Sequence, residues 1–89
     1  ELLSLITFYT HANDKLQAWQ LARGSTAPAA AGRIHSDMQD GFIRAEVVGV
    51  ADLERAGSMA ALRKGGKLRT EGKDYVICDG DVVNFLFSN

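Results

Sequence analysis

Apolar residues recur along this chain with two different periods, and each change of period marks a new element. Ala27, Ala30, Ala31, Ile34 and Met38 are spaced by three, four, seven and eleven from the first. That spacing puts them on one stripe of an amphipathic helix. Ser25 and Thr26 precede the stripe as candidate caps, because a side-chain oxygen there can accept from the first free amides. Pro28 falls in the first turn, where its missing N–H costs nothing. Small residues early in the stripe predict a helix lying close to whatever it covers. Asp40-Gly41 stops it, with glycine available for the left-handed conformation past a helix end. From Phe42 to Val50 the period becomes two. Ile43, Ala45 and Val47 share one face, Arg44 and Glu46 the other, as in a half-buried strand.

The flanks read mainly as strands. Leu2 to Tyr9 is an apolar, β-branched and aromatic run, and Lys15 to Ala22 follows with Trp19 and Leu21 on one face. The turn residues His11-Ala12-Asn13-Asp14 join the two as a hairpin and leave His11 solvated. Beyond the third strand, Asp52 can cap a short turn holding Leu53 and Ala56, and Gly57 interrupts it. Ser58 can start a second short helix with Met59 and Leu62, which Gly65-Gly66 ends. Leu68 to Glu71 reads as a short edge segment and Gly72-Lys73-Asp74 as a turn. Tyr75 to Cys78 reads as a strand, Asp79-Gly80-Asp81 as a turn and Val82 to Phe87 as the last strand. A hairpin, a helix, a strand, an irregular helical stretch and short strands are most economically arranged as one helix across one face of a mixed four- or five-stranded sheet. The expected class is therefore α+β, with a β-grasp (ubiquitin-like) architecture. A ferredoxin-like sandwich, the alternative, wants two full-length helices.

Composition bounds what such a domain can do. Eighty-nine residues make a single domain, 1–89, and 46% hydrophobic with 24% charged residues is the composition of a folded globule. A net charge of −1 provides no global field for nucleic acid, so any electrostatic footprint is local. The lone Cys78 fits a reducing compartment, and no run approaches a membrane span. The start at Glu1, almost directly in strand-like sequence, suggests a piece excised from a longer protein.

A P-loop needs G-x-x-x-x-G-K-[ST] between strand and helix. At Gly66-Lys67 the pattern fails twice, with Ala61 in place of the first glycine and Leu68 in place of Ser or Thr. His35 lies beside Ile34 on the helix, read as a residue at the core's edge, and no second ligand accompanies it for a metal. Asp79 and Asp81 flank a glycine and read as a turn rather than a catalytic pair. Cys78 reads as a packing residue, with a redox-sensing thiol as the alternative. Trp19, Phe42, Phe85 and Phe87 read as core or sheet-face residues. No nucleophile–base pair or metal constellation emerges, so neither catalytic nor metal residues are assigned. The Phe87-Ser88-Asn89 ending, with no Gly-Gly to activate, argues against ubiquitin-like conjugation.

Several stretches resemble known modules. TAPAAAGRIHSDM is similar to the helix of TGS domains, the β-grasp modules of threonyl-tRNA synthetases and certain GTPases. Ile34-His35-Ser36-Asp37 matches their Ile-His-Thr-Asp signature, and DGDVVNFLF looks like their closing turn and strand. LITFYT, AWQLARGSTAPAAAGRIHSDMQDGFIRAEVV and GKLRTEGKDYVICDGDVVNFLF resemble, over nearly the whole chain, the C-terminal domain of YchF-type Obg-like ATPases. The segment Asp52–Gly65 follows that family only loosely. The resemblance implies a cytoplasmic parent protein whose P-loop domain hydrolyses ATP or GTP with Mg2+, and an association with the ribosome and translation-related stress responses. It places no cofactor in this chain.

Within that frame, a basic cluster is the candidate contact. Arg63, Lys64, Lys67, Arg69 and Lys73 stand against Glu71 and Asp74, and Arg23, Arg33 and Arg44 are further candidates if folding brings them near. Two readings stay open for them: an ordinary solvated face, or phosphate contacts to ribosomal RNA, which position without reading sequence and weaken with salt. The rival function is docking on the neighbouring ATPase domain or another protein. Its candidate surface is the exposed face of the hairpin and third strand, including Arg44 and Glu46.

Overall fold

A computed structural model describes residues 4–12 and 15–88. Its strands are β1 (Leu5–Ala12), β2 (Lys15–Ala22), β3 (Phe42–Gly49), β4 (Arg69–Glu71) and β5 (Asp81–Phe87). Its helices are α1 (Ala27–Ile34), α2 (Ser36–Asp40), α3 (Val50–Ala56) and α4 (Met59–Lys64). The five strands form one sheet in the order β2-β1-β5-β3-β4. β1 and β5 run parallel, joined at Tyr9 opposite Val82, and the other neighbours are antiparallel. This mixed sheet with a helical layer is the expected β-grasp.

The helix splits where a single one was expected. His35 is extended (φ −159°, ψ 135°), and its Nδ1 accepts from the Asp37 amide at 3.1 Å, so it caps α2. A side chain bonded to the backbone two residues on competes with the helical bond it replaces. His35 is therefore an exposed cap rather than a residue on the helix edging the core. Ala27, Ala30 and Ala31 of α1 are fully buried, as the small-residue stripe requires, and Ile34 and Met38 pack at the margin. Thr26 is the N-cap residue of α1 without a side-chain cap bond. The Ala27 amide is instead taken by the Tyr75 carbonyl at 2.9 Å, and Ser25 O accepts from Ile77 N at 3.0 Å. The expected strand Tyr75–Cys78 is thus a single bridge, Thr26 to Val76, that holds the helix entry.

Two further expectations are corrected by sheet geometry. A register shift against β5 makes Ile43 an extra residue between Phe42 and Arg44. Such a bulge leaves its residue unpaired and changes which face the flanking residues occupy. Phe42 packs against the core, 6.5 Å from the Phe85 ring, while Ile43 is 52% exposed. His11 lies within β1 opposite Leu16, so the strand runs three residues past Tyr9. Leu2, Leu3, Asn13 and Asp14 fall outside the described residues.

The core has two parts because strand residues alternate between faces. Ile6, Phe8, Leu21, Ala45, Val47, Val83 and Phe85 face α1, with Phe8 edge-on to Phe85 at 6.1 Å. Val48 and Val82 face the other way and meet Leu53 of α3 and Leu62 of α4. The irregular stretch after β3 is therefore a second, partial layer of two short helices. Ser58 caps α4 through Oγ, which accepts from Ala61 N, and Gly57 ends α3 in the left-handed conformation (φ 88°).

The turn from α2 into β3 is tied to the end of β5: Ser88 N donates to Gly41 O at 2.9 Å. A Cβ at Gly41 would lie 1.8 Å from the Ser88 carbonyl oxygen. Gly41→Ala is expected to lower stability by about 1–3 kcal/mol through this backbone clash, measured by chemical denaturation against Gly72→Ala, whose added Cβ meets nothing within 4 Å.

Candidate nucleic-acid interface

Six of the eight basic candidates fall into two groups, one where β2 meets α1 and one along α4 and its connection into β4. Arg23 Nε donates to Ser4 Oγ at 2.8 Å, and Arg33 Nε donates to the Gln20 carbonyl at 3.1 Å. Both belong to the side where β2 meets α1. Arg63, Lys64, Lys67 and Arg69 lie along α4 and its connection into β4. Arg44 is exposed on β3, and Lys73 is exposed in the turn after β4. Folding therefore brings four of the eight candidates onto one connection and leaves Arg23 and Arg33 apart.

Several of these cations are already engaged. Arg63 Nη2 reaches back 17 residues to Glu46 Oε1 at 2.8 Å, and Asn84 Nδ2 donates to the same oxygen at 3.0 Å. These two hydrogen bonds, the Arg63 one foremost, hold the Glu46 carboxyl below its ordinary range. Glu46, a proposed docking residue, is thus the anchor that ties α4 to β3. Arg69 Nη2 donates to Tyr75 Oη at 3.2 Å, lies 3.9 Å from Asp81 Oδ1 and sits over the Tyr75 ring at 5.8 Å. Lys64, Lys67, Lys73 and Arg44 make no ion pair among the described residues.

A groove of about 460 Å³ runs between α3 and α4, lined by Val48, Asp52, Arg55, Ala56, Leu62 and Lys67. Arg55, paired with Asp52, is a cation beside this groove that the sequence reading missed. Its only signal was a place in the last turn of a short helix, which is ordinary for arginine.

Beneath the basic connection lies a cluster built around the buried Asp81, 5% exposed. Its Oδ2 accepts from Tyr75 Oη at 2.6 Å and from Cys78 N at 2.9 Å. Burial, reinforced by the neighbouring carboxylate, pushes the Tyr75 phenol well above its ordinary value. The phenol therefore stays protonated and keeps donating. Asp79 Oδ1 accepts from the Thr7 amide at 2.8 Å. The two aspartates serve the turn, as the sequence suggested. Cys78 is exposed and free. His11 and His35 lie in separate elements, and no group of three His, Cys, Asp or Glu among the described residues is placed to hold a metal.

The nucleotide implied for the parent finds no cradle at Gly66-Lys67. Gly66 (φ 68°) ends α4 and leads into β4, so the loop runs from helix to strand. A phosphate loop needs the reverse order, with free amides at a helix N-terminus.

The order 2-1-5-3-4, with a helical layer on one face and a cationic connection on the other, defines a TGS-like β-grasp module. Residues 5–88 match the family model YchF-GTPase_C, described as "Protein of unknown function (DUF933)". The chain belongs to this YchF family. It is 48% identical over 87 residues to "Ribosome-binding ATPase YchF" of Bacillus subtilis (strain 168), covering 98% of this chain and 24% of that protein. It is 49% identical over 86 residues to "Obg-like ATPase 1" of Caenorhabditis elegans, covering 97% and 22%. The YchF GTPase structure from Schizosaccharomyces pombe superposes with a TM-score of 0.83 at 35% identity, over 92% of this chain and 22% of that one. The chain thus spans about a quarter of the length of these relatives.

Two outcomes follow from the electrostatics. Tyr75→Phe strands part of the buried Asp81 carboxylate and is expected to cost about 1–3 kcal/mol. Because the folded phenol titrates above its unfolded value, the native protein gains stability below about pH 10 and loses it as pH rises further. Denaturation curves between pH 7 and 11 should show that alkaline loss weakened in Tyr75→Phe. For Glu46 the sign is opposite: its contribution is present above about pH 4.3 and fades as pH falls through the lowered folded value. Arg63→Met should move the Glu46 titration upward, read by carboxyl-carbon NMR.

Proposed function

We propose that this domain is a non-catalytic binding module of a cytoplasmic YchF-type ATPase and contributes phosphate contacts to ribosomal RNA. The observation that carries this reading is the α4–β4 connection. It presents Lys64 and Lys67, which have no ion-pair partner among the described residues, beside the groove of Arg55. Relatives named for ribosome binding support it. Arg63 and Arg69 hold Glu46, Tyr75 and Asp81, so they brace this connection and contribute less free charge to a phosphate backbone. ATP or GTP with Mg2+ belongs, on this reading, to the parent's own P-loop domain. No helix among the described residues is long and apolar enough to cross a membrane.

A second reading, docking on the neighbouring ATPase domain or another protein, is favoured by exposed apolar residues at the far end of the sheet. Ile43 (52%) stands out at the bulge and Phe87 (41%) at the end of β5. Ile43→Lys in the full-length parent should then change nucleotide turnover without ribosomes present.

The decisive experiment is binding of the 89-residue chain to purified large ribosomal subunits across a salt series. Each phosphate contact contributes a slope of roughly −0.7 to −0.9 in log affinity against log salt. Lys64→Glu with Lys67→Glu should weaken binding at every salt concentration and reduce the slope by about 2. Binding that is insensitive to salt, or unchanged by these substitutions, would remove the RNA contact from this surface.

A further inference from the structure

The groove between α3 and α4 holds a charge that a bare phosphate site would not include. Its cations are Arg55 and Lys67, yet Asp52 lines it too. A carboxylate beside a polyanion repels it and loses hydration on contact, unless the same molecule also donates to it. Arg55 Nη2 donates to Asp52 Oδ1, and among the described residues Oδ2 has no hydrogen-bond partner. One cavity thus combines two cations with a free acceptor.

Backbone geometry sets these positions. The left-handed Gly57 ends α3 and lets α4 fold back, so that Leu53 and Leu62 meet over Val48 and Val82. At the other end of α4, Lys67 N donates to Leu62 O at 2.9 Å and Gly66 N to Arg63 O at 3.2 Å, with Gly66 at φ 68°. This paired cap reverses the chain at a helix end. It returns Lys67 to the groove instead of letting the chain run on along the helix axis. Val48 and Leu62, 4% and 3% exposed, close the floor. The volume of about 460 Å³ falls within the roughly 300–1,000 Å³ of small-molecule sites, the scale of one nucleotide rather than of a duplex.

We propose that this groove takes one unpaired ribonucleotide, with its phosphate at Lys67 and Arg55 and its 2′-hydroxyl donating to Asp52, so that the surface prefers RNA to DNA. The inference rests on the reading that this connection contacts RNA phosphates. The 2′-hydroxyl is the group by which a site tells RNA from DNA. DNA brings the same phosphates against Asp52 without that donor, so nothing offsets the repulsion. Asp52 is therefore the residue that sets specificity, and Lys67 is a phosphate contact that carries no preference of its own. An unpaired nucleotide enters a cavity of this size whole, whereas a nucleotide in an A-form helix presents only its rim.

Oligouridylate and oligodeoxyuridylate of equal length differ only in the 2′-hydroxyl, and both stay single-stranded. Their affinities for the 89-residue chain, measured by fluorescence anisotropy across a salt series, test the inference. The RNA should bind roughly three- to tenfold tighter, the worth of one hydrogen bond. A 2′-fluoro oligouridylate, which cannot donate, should bind as weakly as the DNA. Asp52→Ala should bring the RNA-to-DNA ratio to about one and tighten DNA binding, because a like charge is gone. Asp52→Asn keeps a carbonyl acceptor and should keep the preference while both affinities rise. Lys67→Met should weaken both strands and leave the preference standing. When the oligouridylate is paired with its complement, the Asp52→Ala effect should vanish. Equal affinities for the two strands overturn the inference, as do a preference unmoved by Asp52→Ala, a 2′-fluoro strand bound as tightly as RNA, or an Asp52 effect that persists in the duplex. Binding that depends on salt, Lys64 and Lys67 but not on the 2′-hydroxyl overturns this inference and leaves the phosphate-contact reading intact. Binding to neither strand overturns both.

Discussion

The sheet depends on how β5 is delivered into its centre. β5 lies between β1 and β3, and its first residues must face both cores: Val82 meets α3 and α4, Val83 meets α1. The Asp79-Gly80-Asp81 turn makes this entry rigid. Gly80 N donates to Thr7 O at 2.8 Å and Gly80 O accepts from Val50 N at 2.9 Å, so one glycine bonds both β1 and the start of α3. Gly80 has a positive φ of 86°, which glycine adopts without strain. Asp79 adds the Thr7 amide, and Asp81 closes the turn from beneath. A buried carboxylate is costly unless its lone pairs are met. Tyr75, Cys78 N and the nearby Arg69 meet those of Asp81, which ties β4 and the helix entry to the same point.

Periodicity carried most of the architecture because it reports burial, and burial is what the sheet enforces. The alternation in β3, the Trp19–Leu21 face of β2 and the alanine stripe of α1 all reappear in the fold. What escaped the sequence depended on partners distant along the chain or on single side chains. The Ile43 bulge exists only relative to β5. The break at His35 comes from an imidazole that accepts a backbone amide, a role more usual for Ser, Thr, Asp or Asn. Val48 and Val82 look like interruptions of their strands' alternation, yet they are the floor for the second helical layer.

The candidate site was legible as a count of charges and not as a surface. Sequence showed five cations in a short span, but not that Glu46 and Asp81 reach across to hold Arg63 and Arg69. Arginine, with its planar fork of donors, suits such fixed bonding, whereas lysine keeps a mobile point charge. The division of labour on this connection follows that difference: arginines fasten α4 and β4 to the sheet, and lysines remain available to solvent or to a polyanion.

The parallel pairing of β1 with β5 also has a mechanical consequence. The chain enters the described fold at the beginning of β1 and leaves it at the end of β5, at opposite ends of two strands that run side by side. Tension applied between those points slides one strand along the other. The bonds at Tyr9–Val82 and between Gly80 and Thr7 are then loaded together, whereas a hairpin pulled from its open end gives way one bond at a time. A module built this way resists stretching along its own axis while its edge strands, outside that load path, are left to rearrange.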